Sequence, residues 1–399
     1  MAPAVDTNGS RSPDYRDFQH TGPETLAGRY MRLFWQPVYL ARKLETGRAV
    51  PIRIMSEDFA LYRGEGGTPY CVGLRCAHRG TVLNAGWVEG DCIRCPYHGW
   101  KYDGTGQCVE QPLEGEKSGF ARKVRIGGYP TREYLGLVYV YFGPGDAPEF
   151  PRYPEWEHAR MVVPMIDVRP CNYFQNIDNF MDEGHLSFTH RNSAFTKVDF
   201  EDLPEMDYRE TSWGLTCLAR RSGGRVREVQ FGMPNMGMFA VHPDNIVKEG
   251  EAANTAEVAW QEFLDYRVPI DDETHMQVHA IHVHLPEGAA PPAALRERWA
   301  AFEAAEQEAH EVAAKVLRSE LSYGDISRLC RHIPLAQDEV VQTGQGVIAD
   351  HEAEHLGRSD VGIIALRKLW AAELKALSDG RELRHWTRPE GLLPIAGDH

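Results

Sequence analysis

The distribution of apolar and polar residues divides the chain into two differently patterned parts. From about residue 38 to 148, apolar and polar positions alternate in short runs such as Val50–Ile54 and Leu137–Tyr141, with glycine-rich turns such as Asp103–Gly106 between them. Alternation of period two between turn residues is typical of half-buried β-strands. This part of the chain is therefore predicted to be an all-β domain.

The remaining parts combine helical patterns with further strands. Thr25 is expected to cap a short helix over residues 24–35, and Gly380 to follow the last helix as its C-cap. Other helices are predicted around 175–189, over 292–318 and over 361–378, a strand over Val278–Leu285, and a linker at Pro148, Pro151 and Pro154. The chain is thus expected to contain a disordered N-terminal arm (1–23), a first domain (24–150) and an α+β domain (151–399).

Composition narrows the class of protein. The sequence contains no apolar run of the roughly 18 residues that a membrane helix needs. Its first residues are polar and lack the apolar core of a signal peptide, which favours a cytoplasmic location. A net charge of −15 opposes binding to nucleic acid or to an anionic membrane, so neither is expected as a partner.

Two short motifs, each with one cysteine and one histidine, predict a first metal centre. They are Cys76-x-His78 and Cys95-x-x-His98. Two thiolates and two imidazoles suit a Rieske [2Fe–2S] cluster, with the cysteines on one iron and the histidines on the other. Structural zinc is the alternative, although zinc fingers usually place a cysteine pair before a histidine pair. The spare cysteines nearby are expected to be buried thiols: Cys71, Cys92 and Cys108.

A second motif predicts a mononuclear metal site. Asn179, Asp182 and His185 are spaced three apart and share one face of a helix, and His190 follows five residues later. Five residues are about 140° of a regular helix, so both imidazoles can meet one ion only if the helix ends or loosens. Two histidines and a carboxylate form the facial triad of non-haem Fe(II) oxygenases.

The carboxylate of this triad must come from another part of the chain. Asp338, in the segment QDEVV, is the best candidate. Glu339 and the pair Asp271 and Asp272 are the alternatives, and any one of them is by itself typical of a solvated surface acid.

Two other histidine patterns are interpreted as structural. His351 to His355 spell HExxH, the zincin signature, but glycines surround the motif and no further zinc ligand follows. His279, His282 and His284 cluster on one predicted strand, yet the first two are expected on opposite strand faces. Neither pattern therefore predicts a metal site.

The motifs together resemble a known family. The segments RCAHRGTVL, RCPYHGWKYDGTGQC, NFMDEGHLSFTH, VPIDDETH, QDEVV and EHLGRSD, within residues 24–380, resemble the α-subunit of Rieske ring-hydroxylating oxygenases. The resemblance is to the phthalate dioxygenase-like branch, which includes aromatic O-demethylases of the dehydrodivanillate and vanillate type. It implies an all-β Rieske domain joined to a helix-grip-like α+β catalytic domain.

The resemblance also implies roles for individual residues. The cluster ligands would be Cys76, His78, Cys95 and His98, and the iron ligands would be His185, His190 and Asp338. Asp182 would bridge the two centres between neighbouring subunits of a trimer or hexamer, and Asn179 would belong to the same catalytic site. Thr81 and Tyr97 replace the disulfide pair of respiratory Rieske proteins, which resembles the oxygenase type.

The predicted activity is that of an oxygenase that incorporates O2 with paired electron donors. No flavin or nicotinamide motif is present, so a separate reductase or ferredoxin, which draws its electrons from NAD(P)H, is expected as a partner. The expected substrate is an aromatic acid that is O-demethylated or hydroxylated. The alternatives are ring dioxygenation of phthalate-like or (aryloxy/chloro)benzoate substrates and, more remotely, a Rieske electron carrier without oxygenase activity. Residues that could pair with a substrate carboxylate are Arg209, Arg220 and Arg221.

Overall fold

The first structural part is built from short antiparallel strands, as the alternating pattern predicts. The structure is a computed structural model, and it describes residues 14–115, 118–159, 161–191, 202–222, 226–241, 261–285, 290 and 293–388. Helix α1 (Leu26–Met31) precedes the strands, with the Thr25 side chain accepting a hydrogen bond from Gly28 N. The strands are β1 (Trp35–Leu40), β2 (Ala49–Ile54), β3 (Glu57–Arg63), β4 (Pro69–Gly73), β5 (Trp87–Glu89), β6 (Cys92–Arg94), β7 (Lys101–Tyr102), β8 (Cys108–Glu110), β9 (Gly128–Tyr129), β10 (Thr131–Tyr134) and β11 (Leu137–Tyr141).

These strands form three small sheets. Their orders are β1–β11–β10, β2–β3–β4–β9 and β5–β6–β7–β8. A separate apolar cluster fills the space between the last two sheets, and Tyr62, Val72, Leu83, Ile93 and Tyr102 lie at its centre. The loop after β4 and the loop after β6 both leave this cluster, and they carry the two cysteine–histidine motifs.

A seven-stranded antiparallel sheet dominates the second part. Its strands are β12 (Val162–Arg169), β13 (Glu205–Glu210), β14 (Gly214–Arg220), β15 (Val226–Gly232), β16 (Met236–Val241), β17 (Gln261–Pro269) and β18 (His275–Val283). The order is β12–β18–β17–β16–β15–β14–β13, so β12 at one edge pairs with the last strand in the sequence. Helices pack against this sheet, which confirms the expected α+β class.

The helices of this part are shorter than the sequence pattern predicts. The helix expected at 175–189 is two helices, and the one expected at 292–318 breaks at Ala305. The last helix has the predicted bounds, and Gly380 after it has a φ of 66°. The helices are α2 (Pro154–Glu157), α3 (Tyr173–Phe180), α4 (Leu186–Thr189), α5 (Ala293–Ala304), α6 (Glu306–Leu317), α7 (Ile326–Leu329), α8 (Ile333–Thr343) and α9 (Val361–Ser378).

The prediction of a disordered arm over residues 1–23 is wrong for its second half. Phe18 is only 3% exposed and stacks on Phe174 of α3 at 4.9 Å between ring centroids. Tyr173 donates a hydrogen bond to the Phe18 carbonyl, so this segment is held by the helix below it. Aromatic side chains are efficient at burying area, which explains why a polar-looking segment is ordered. Residues 1–13 lie outside the described residues.

Two further predictions concern membrane-spanning helices and the HExxH segment. Among the described residues, no helix has the length and apolarity that a membrane crossing requires. The HExxH segment begins in a turn and continues without regular secondary structure, so its histidines do not share a helix face. The segment therefore lacks the geometry of a zincin site, in which both histidines lie on one helix face.

Candidate metal centres

The first centre is formed by the loops after β4 and β6. Each loop is closed by its own cysteine, because Cys76 O accepts from Gly80 N at 2.9 Å and Cys95 O accepts from Gly99 N at 3.1 Å. Gly80 and Gly99 have φ values of 75° and 74°, a conformation that residues with a Cβ rarely adopt. The two loops therefore turn tightly and bring their side chains towards each other.

The four predicted ligands differ in exposure. Cys76 and Cys95 are 3% and 2% exposed, whereas His78 is exposed and His98 is half-buried. The two imidazole rings lie 4.5 Å apart, and the indole ring of Trp100 stacks on His78 at an angle of 8°. The thiolate side is thus enclosed, while the imidazole side faces the surface.

Groups around the sulfur atoms suit a cluster rather than a disulfide. Tyr102 OH lies 3.2 Å from Cys76 Sγ, and all eight cysteines are free. Cys71 and Cys108 are buried as expected, and Cys92 is half-buried. A hydrogen bond to sulfur is one of the interactions by which proteins tune the potential of iron–sulfur clusters.

The structure argues against a single zinc ion at this centre. Zinc ligands lie about 2.0–2.3 Å from the metal, so the donor atoms of one zinc site lie less than about 4.6 Å apart. Within the described residues, only two groups bring three or more possible donor atoms within 4.8 Å of one another, and neither includes Cys76, His78, Cys95 or His98. A two-iron cluster, whose cysteines and histidines bind different iron atoms, fits the wider spacing. Among the described residues, His98 Nδ1 is also buried without a hydrogen-bond partner, which fits a ring that would bind a cluster.

The second centre combines the ends of α4 with the middle of α8. His185 and His190 occupy the N-cap and C-cap positions of the short helix Leu186–Thr189. The helix before them ends at Phe180, which is the interruption that the spacing required. Asp338 Oδ1 lies 3.3 Å from His190 Nε2 and 3.9 Å from His185 Nε2. These three side chains form one of the two groups described above.

Hydrogen bonds fix which nitrogen of each imidazole faces the centre. His190 Nδ1 lies 3.0 Å from Gln337 Oε1, and His185 Nδ1 contacts the carbonyl oxygen of Asp182. Both acceptors require a proton on Nδ1, which leaves Nε2 as a lone-pair donor. Backbone and side-chain acceptors of this kind orient metal-binding histidines in other proteins.

The charge of Asp338 completes a donor set for a divalent ion. Burial raises the pKa of its carboxyl group, but the neighbouring His190 and His185 more than offset that effect and lower the pKa to about 2. Asp338 Oδ1 is buried and makes no aligned hydrogen bond, although His190 Nε2 is close. Atoms that converge without bonding to one another fit a common metal ligand sphere, and two imidazoles with one carboxylate suit non-haem iron.

The alternative carboxylates have other partners. Glu339 contacts His310 Nδ1, and Asp271 accepts hydrogen bonds from Thr274. Asp272 accepts from Thr21 N. None of these three acids is in the group formed by His185 and His190.

Asp182 contacts His185 in a different way from the one that its spacing of three residues predicts. On a continuous helix the carboxylate could bond the His185 ring three residues later, but here the backbone carbonyl makes that contact. The carboxylate Oδ1 instead accepts from Gly184 N at 2.9 Å and from His185 N at 3.3 Å. The helix ends before Asp182, so its side chain caps the following turn instead of lying along a helix face.

A cavity of about 230 Å³ opens beside the second centre. Asn179 contributes to its wall together with His185, His190 and Asp338. Much of the remaining wall is apolar, from Met165, Phe180, Leu186, Phe239, Val241, Phe263, Ile281, Trp299, Phe302 and Leu335. The site is therefore a largely apolar chamber with the candidate ligands at one side.

Sequence reasoning missed the polar floor of this cavity. Asp167 and Arg169 of β12, Asp265 and Arg267 of β17, and His279 of β18 all point into it. His279 lies 2.9 Å from Asp265 and 3.4 Å from Asp167. Burial lowers the pKa of His279, but the two carboxylates outweigh it and raise the pKa to about 9. The sequence signal for these residues was that polar positions within a strand are two residues apart. That spacing places their side chains on the same face of the sheet.

The arginines of the cavity are not the predicted ones. Arg209 is exposed and pairs with Asp207, and Arg221 is held by Asp202 O and Ser187. Neither these nor Arg220 line the cavity in the described part of the chain, where Arg169, Arg227 and Arg267 do. Arg267 pairs with Asp265 at 2.5 Å, whereas Arg169 has no carboxylate within 4 Å among the described residues.

Comparisons with known proteins agree with this geometry. Residues 34–130 match the model of the Rieske [2Fe-2S] domain. The chain is 31% identical to the 5,5'-dehydrodivanillate O-demethylase oxygenase subunit of Sphingobium sp. (strain NBRC 103272 / SYK-6), over 90% of this chain and 80% of that protein. It is also 31% identical to the tert-butanol monooxygenase / tert-amyl alcohol desaturase oxygenase subunit of Aquincola tertiaricarbonis, over 90% and 76%.

A solved structure shows the same fold. NdmA of Pseudomonas putida CBB5 superposes with a TM-score of 0.63 at 19% identity, over 88% of this chain and 92% of that one. The Rieske domain implies a [2Fe–2S] cluster, and the oxygenase subunits of this family also use a mononuclear iron and a separate electron-donating partner. The chain therefore belongs to the Rieske oxygenases, as an oxygenase subunit that uses O2.

Proposed function

We propose that Cys76, His78, Cys95 and His98 hold the Rieske cluster, and that His185, His190 and Asp338 hold the mononuclear Fe(II). The convergence of three donor atoms beside the cavity is the observation that carries the second assignment. When bound, the cluster supplies electrons that a reductase has drawn from NAD(P)H, and the iron supplies a place where O2 is activated.

The chain's own residues prepare the second centre for this chemistry. Gln337 and the Asp182 carbonyl hold both imidazoles with Nε2 towards Asp338. The phenylalanines and leucines of the cavity wall exclude water, which limits side reactions at an oxygen-activating centre. Asn179 lies on the same wall, where we assign it a role in positioning rather than in metal binding.

We further propose that the subunit works as a trimer or hexamer. Residues 24–150 would form the electron-accepting domain and residues 151–399 the catalytic domain. Asp182 Oδ2 makes no hydrogen bond among the described residues. A hydrogen bond donated by the ring of His98 of the partner subunit to this oxygen would connect the two centres.

The substrate proposed here is a small aromatic acid. Aromatic side chains form much of the cavity wall, and its volume lies below the range of about 300–1,000 Å³ common for ligand pockets, which favours a single ring. The similarity to an O-demethylase adds O-demethylation as the leading reaction. Hydroxylation of the methoxy carbon gives a hemiacetal, which collapses to a phenol and formaldehyde.

Arg169 is the residue that we expect to bind the acidic group of that substrate. It is 3% exposed, its Nε has no hydrogen-bond partner, and its Nη2 donates to Gln277. A buried guanidinium without a carboxylate is costly unless an anion joins it. We therefore assign Arg169 to the recognition of a substrate carboxylate.

Oxygen uptake with a substrate panel tests the proposal. Methoxybenzoates should give formaldehyde, and Arg169→Met should lower kcat/KM for them by about 10-fold or more while it changes little for neutral methoxybenzenes. Product without formaldehyde from phthalates or chlorobenzoates would favour the ring-dioxygenase alternative. Equal losses on charged and neutral substrates would contradict the role of Arg169.

A further inference from the structure

A second group of two histidines and one carboxylate lies on the face of the large sheet that points away from the cavity. Glu262 of β17 and His282 of β18 are directly paired in the strand register. His284 follows two residues after His282, on the same side of the chain. Glu262 Oε2 lies 3.3 Å from His282 Nδ1 and 2.7 Å from His284 Nε2.

This group shares one feature with the proposed iron site: buried donor atoms lie close together without forming aligned hydrogen bonds. Glu262 and His282 are 6% and 8% exposed, so their polar atoms need partners. Glu262 Oε2 and His282 Nδ1 nevertheless form no aligned hydrogen bond, although they are within 3.3 Å of each other. Asp338 Oδ1 shows the same combination of closeness and misalignment with His190. In both groups, three possible donor atoms lie within 4.8 Å of one another, and close contacts among them are not aligned hydrogen bonds.

The 3.3 Å between Glu262 Oε2 and His282 Nδ1 matches the coordination sphere of a small divalent metal ion, whereas the 2.7 Å to His284 Nε2 is shorter. Zinc binds imidazole nitrogen and carboxylate oxygen at about 2.0–2.2 Å, which places neighbouring ligand atoms of a tetrahedron about 3.3 Å apart. All three donor atoms lie within 4.8 Å of one another. Two imidazoles and a carboxylate suit zinc, nickel or cobalt better than magnesium or calcium, which prefer oxygen ligands alone.

We propose that Glu262, His282 and His284 form a binding site for a divalent transition-metal ion of the zinc class, separate from the iron site. The side chain of His284 is 45% exposed, which gives the ion a path from solvent and leaves room for water as a further ligand. The sheet itself separates this position from the cavity, because Phe263 and Ile281 point to the opposite face.

The neighbourhood indicates a structural rather than a catalytic ion. Trp156 of α2, in the segment that leads from the Rieske strands to the large sheet, packs against His282 at 5.5 Å between ring centroids. Trp156 is 1% exposed, so it holds this imidazole firmly. An ion at this position would fasten the ends of β17 and β18 beside that segment.

The test uses protein with an intact Rieske spectrum and with the iron triad disabled by His185→Ala, so that zinc cannot bind in place of iron. Zinc sulfate is titrated calorimetrically, and bound zinc is measured after gel filtration. The His185→Ala protein should bind zinc in a ratio of one per chain, and adding His284→Ala should weaken binding by about 10-fold or more. Adding His351→Ala instead, which removes a histidine of the HExxH segment, should leave zinc binding unchanged.

The exposure of His284 makes its replacement a mild one, so the melting temperature and the Rieske spectrum should be those of the parent. Two results would overturn the proposal: no zinc bound to the His185→Ala protein, or equal zinc affinity with and without His284→Ala. Either result would mean that the group is an ordinary pair of histidine–glutamate contacts.

Discussion

The Rieske loops and the iron cavity differ in how they present their candidate ligands. His78 is exposed and His98 half-buried, at the tips of two adjacent loops. His190 is 6% exposed and meets Asp338 from a helix far along the chain, beside a largely apolar cavity. The first arrangement suits electron entry from another protein, and the second suits a reaction that must exclude water. One chain thus separates the two proposed roles: the first centre presents an imidazole at the surface, and the second lies beside a largely apolar cavity.

The largest effect is expected from His185→Ala. This change removes a proposed ligand of the cavity centre, and within one subunit the described residues show no hydrogen bond between that centre and the Rieske loops. The variant should keep full Rieske absorption, lose the mononuclear iron and lose turnover entirely. Iron analysis together with the visible spectrum measures both centres. Retention of mononuclear iron and turnover would remove His185 from the ligand set.

A second large effect is expected from Asp338→Ala, for which Glu339→Gln is the matched control. Asp338 faces both imidazoles, whereas its neighbour faces His310 on α6. The first variant should lose mononuclear iron. The control should keep iron but melt at a lower temperature, because a buried contact is weakened. The reverse pattern of iron loss would move the ligand by one residue.

Replacement of Asp182 tests the proposed connection between the Rieske loops and the cavity centre. Asp182→Asn keeps an oxygen that can cap Gly184 N and His185 N, so the cavity centre should retain its iron. The loss of charge should lower turnover by at least about 10-fold, while Asp182→Ala should also loosen the turn and lose more. Turnover of Asp182→Asn at the parent rate would contradict the proposed bridge.

The smallest effect concerns the approach of the electron donor. Four basic residues lie near the cluster loops, and two of them, Arg94 and Lys101, are paired with Glu89 and Glu110. Arg75 and Arg79 remain exposed beside the cluster loops. Cluster reduction should slow only modestly as salt rises, and Arg79→Gln should reduce the salt dependence further. An unchanged salt dependence in Arg79→Gln would rule out a docking role for this arginine.

The same contrast explains what the sequence could predict. The proposed Rieske ligands lie close in the chain and sit beside turn-forming glycines, so motif and spacing alone were sufficient to propose Cys76, His78, Cys95 and His98 as one group. The interruption between Phe180 and Leu186 was foreseen only as a requirement of the spacing, because no proline marks it. From the sequence, Asp338 was the best of several candidate carboxylates, because its contact with the histidines depends on how α8 packs over α4.

The cavity floor was beyond sequence reasoning for a different physical reason. Asp167, Asp265 and His279 come from three strands, and their meeting depends on the register Asp265↔His279 and on β12 pairing with β18. Strand register is set by the whole hydrophobic pattern and by the turns, not by any local motif. Buried charges on a strand also look like surface charges until the covering helices are known.

One measurement tests most directly whether the two regions act in sequence. The Rieske cluster is reduced in advance, O2 and a methoxybenzoate are added, and its reoxidation is followed by stopped-flow absorbance with product measured in the same samples. In the parent protein, we expect rapid reoxidation of the cluster with formation of product. In His185→Ala, we expect the cluster to stay reduced and no product to form. Equally fast reoxidation and equal product in both proteins would contradict the transfer of electrons from the loops to the cavity.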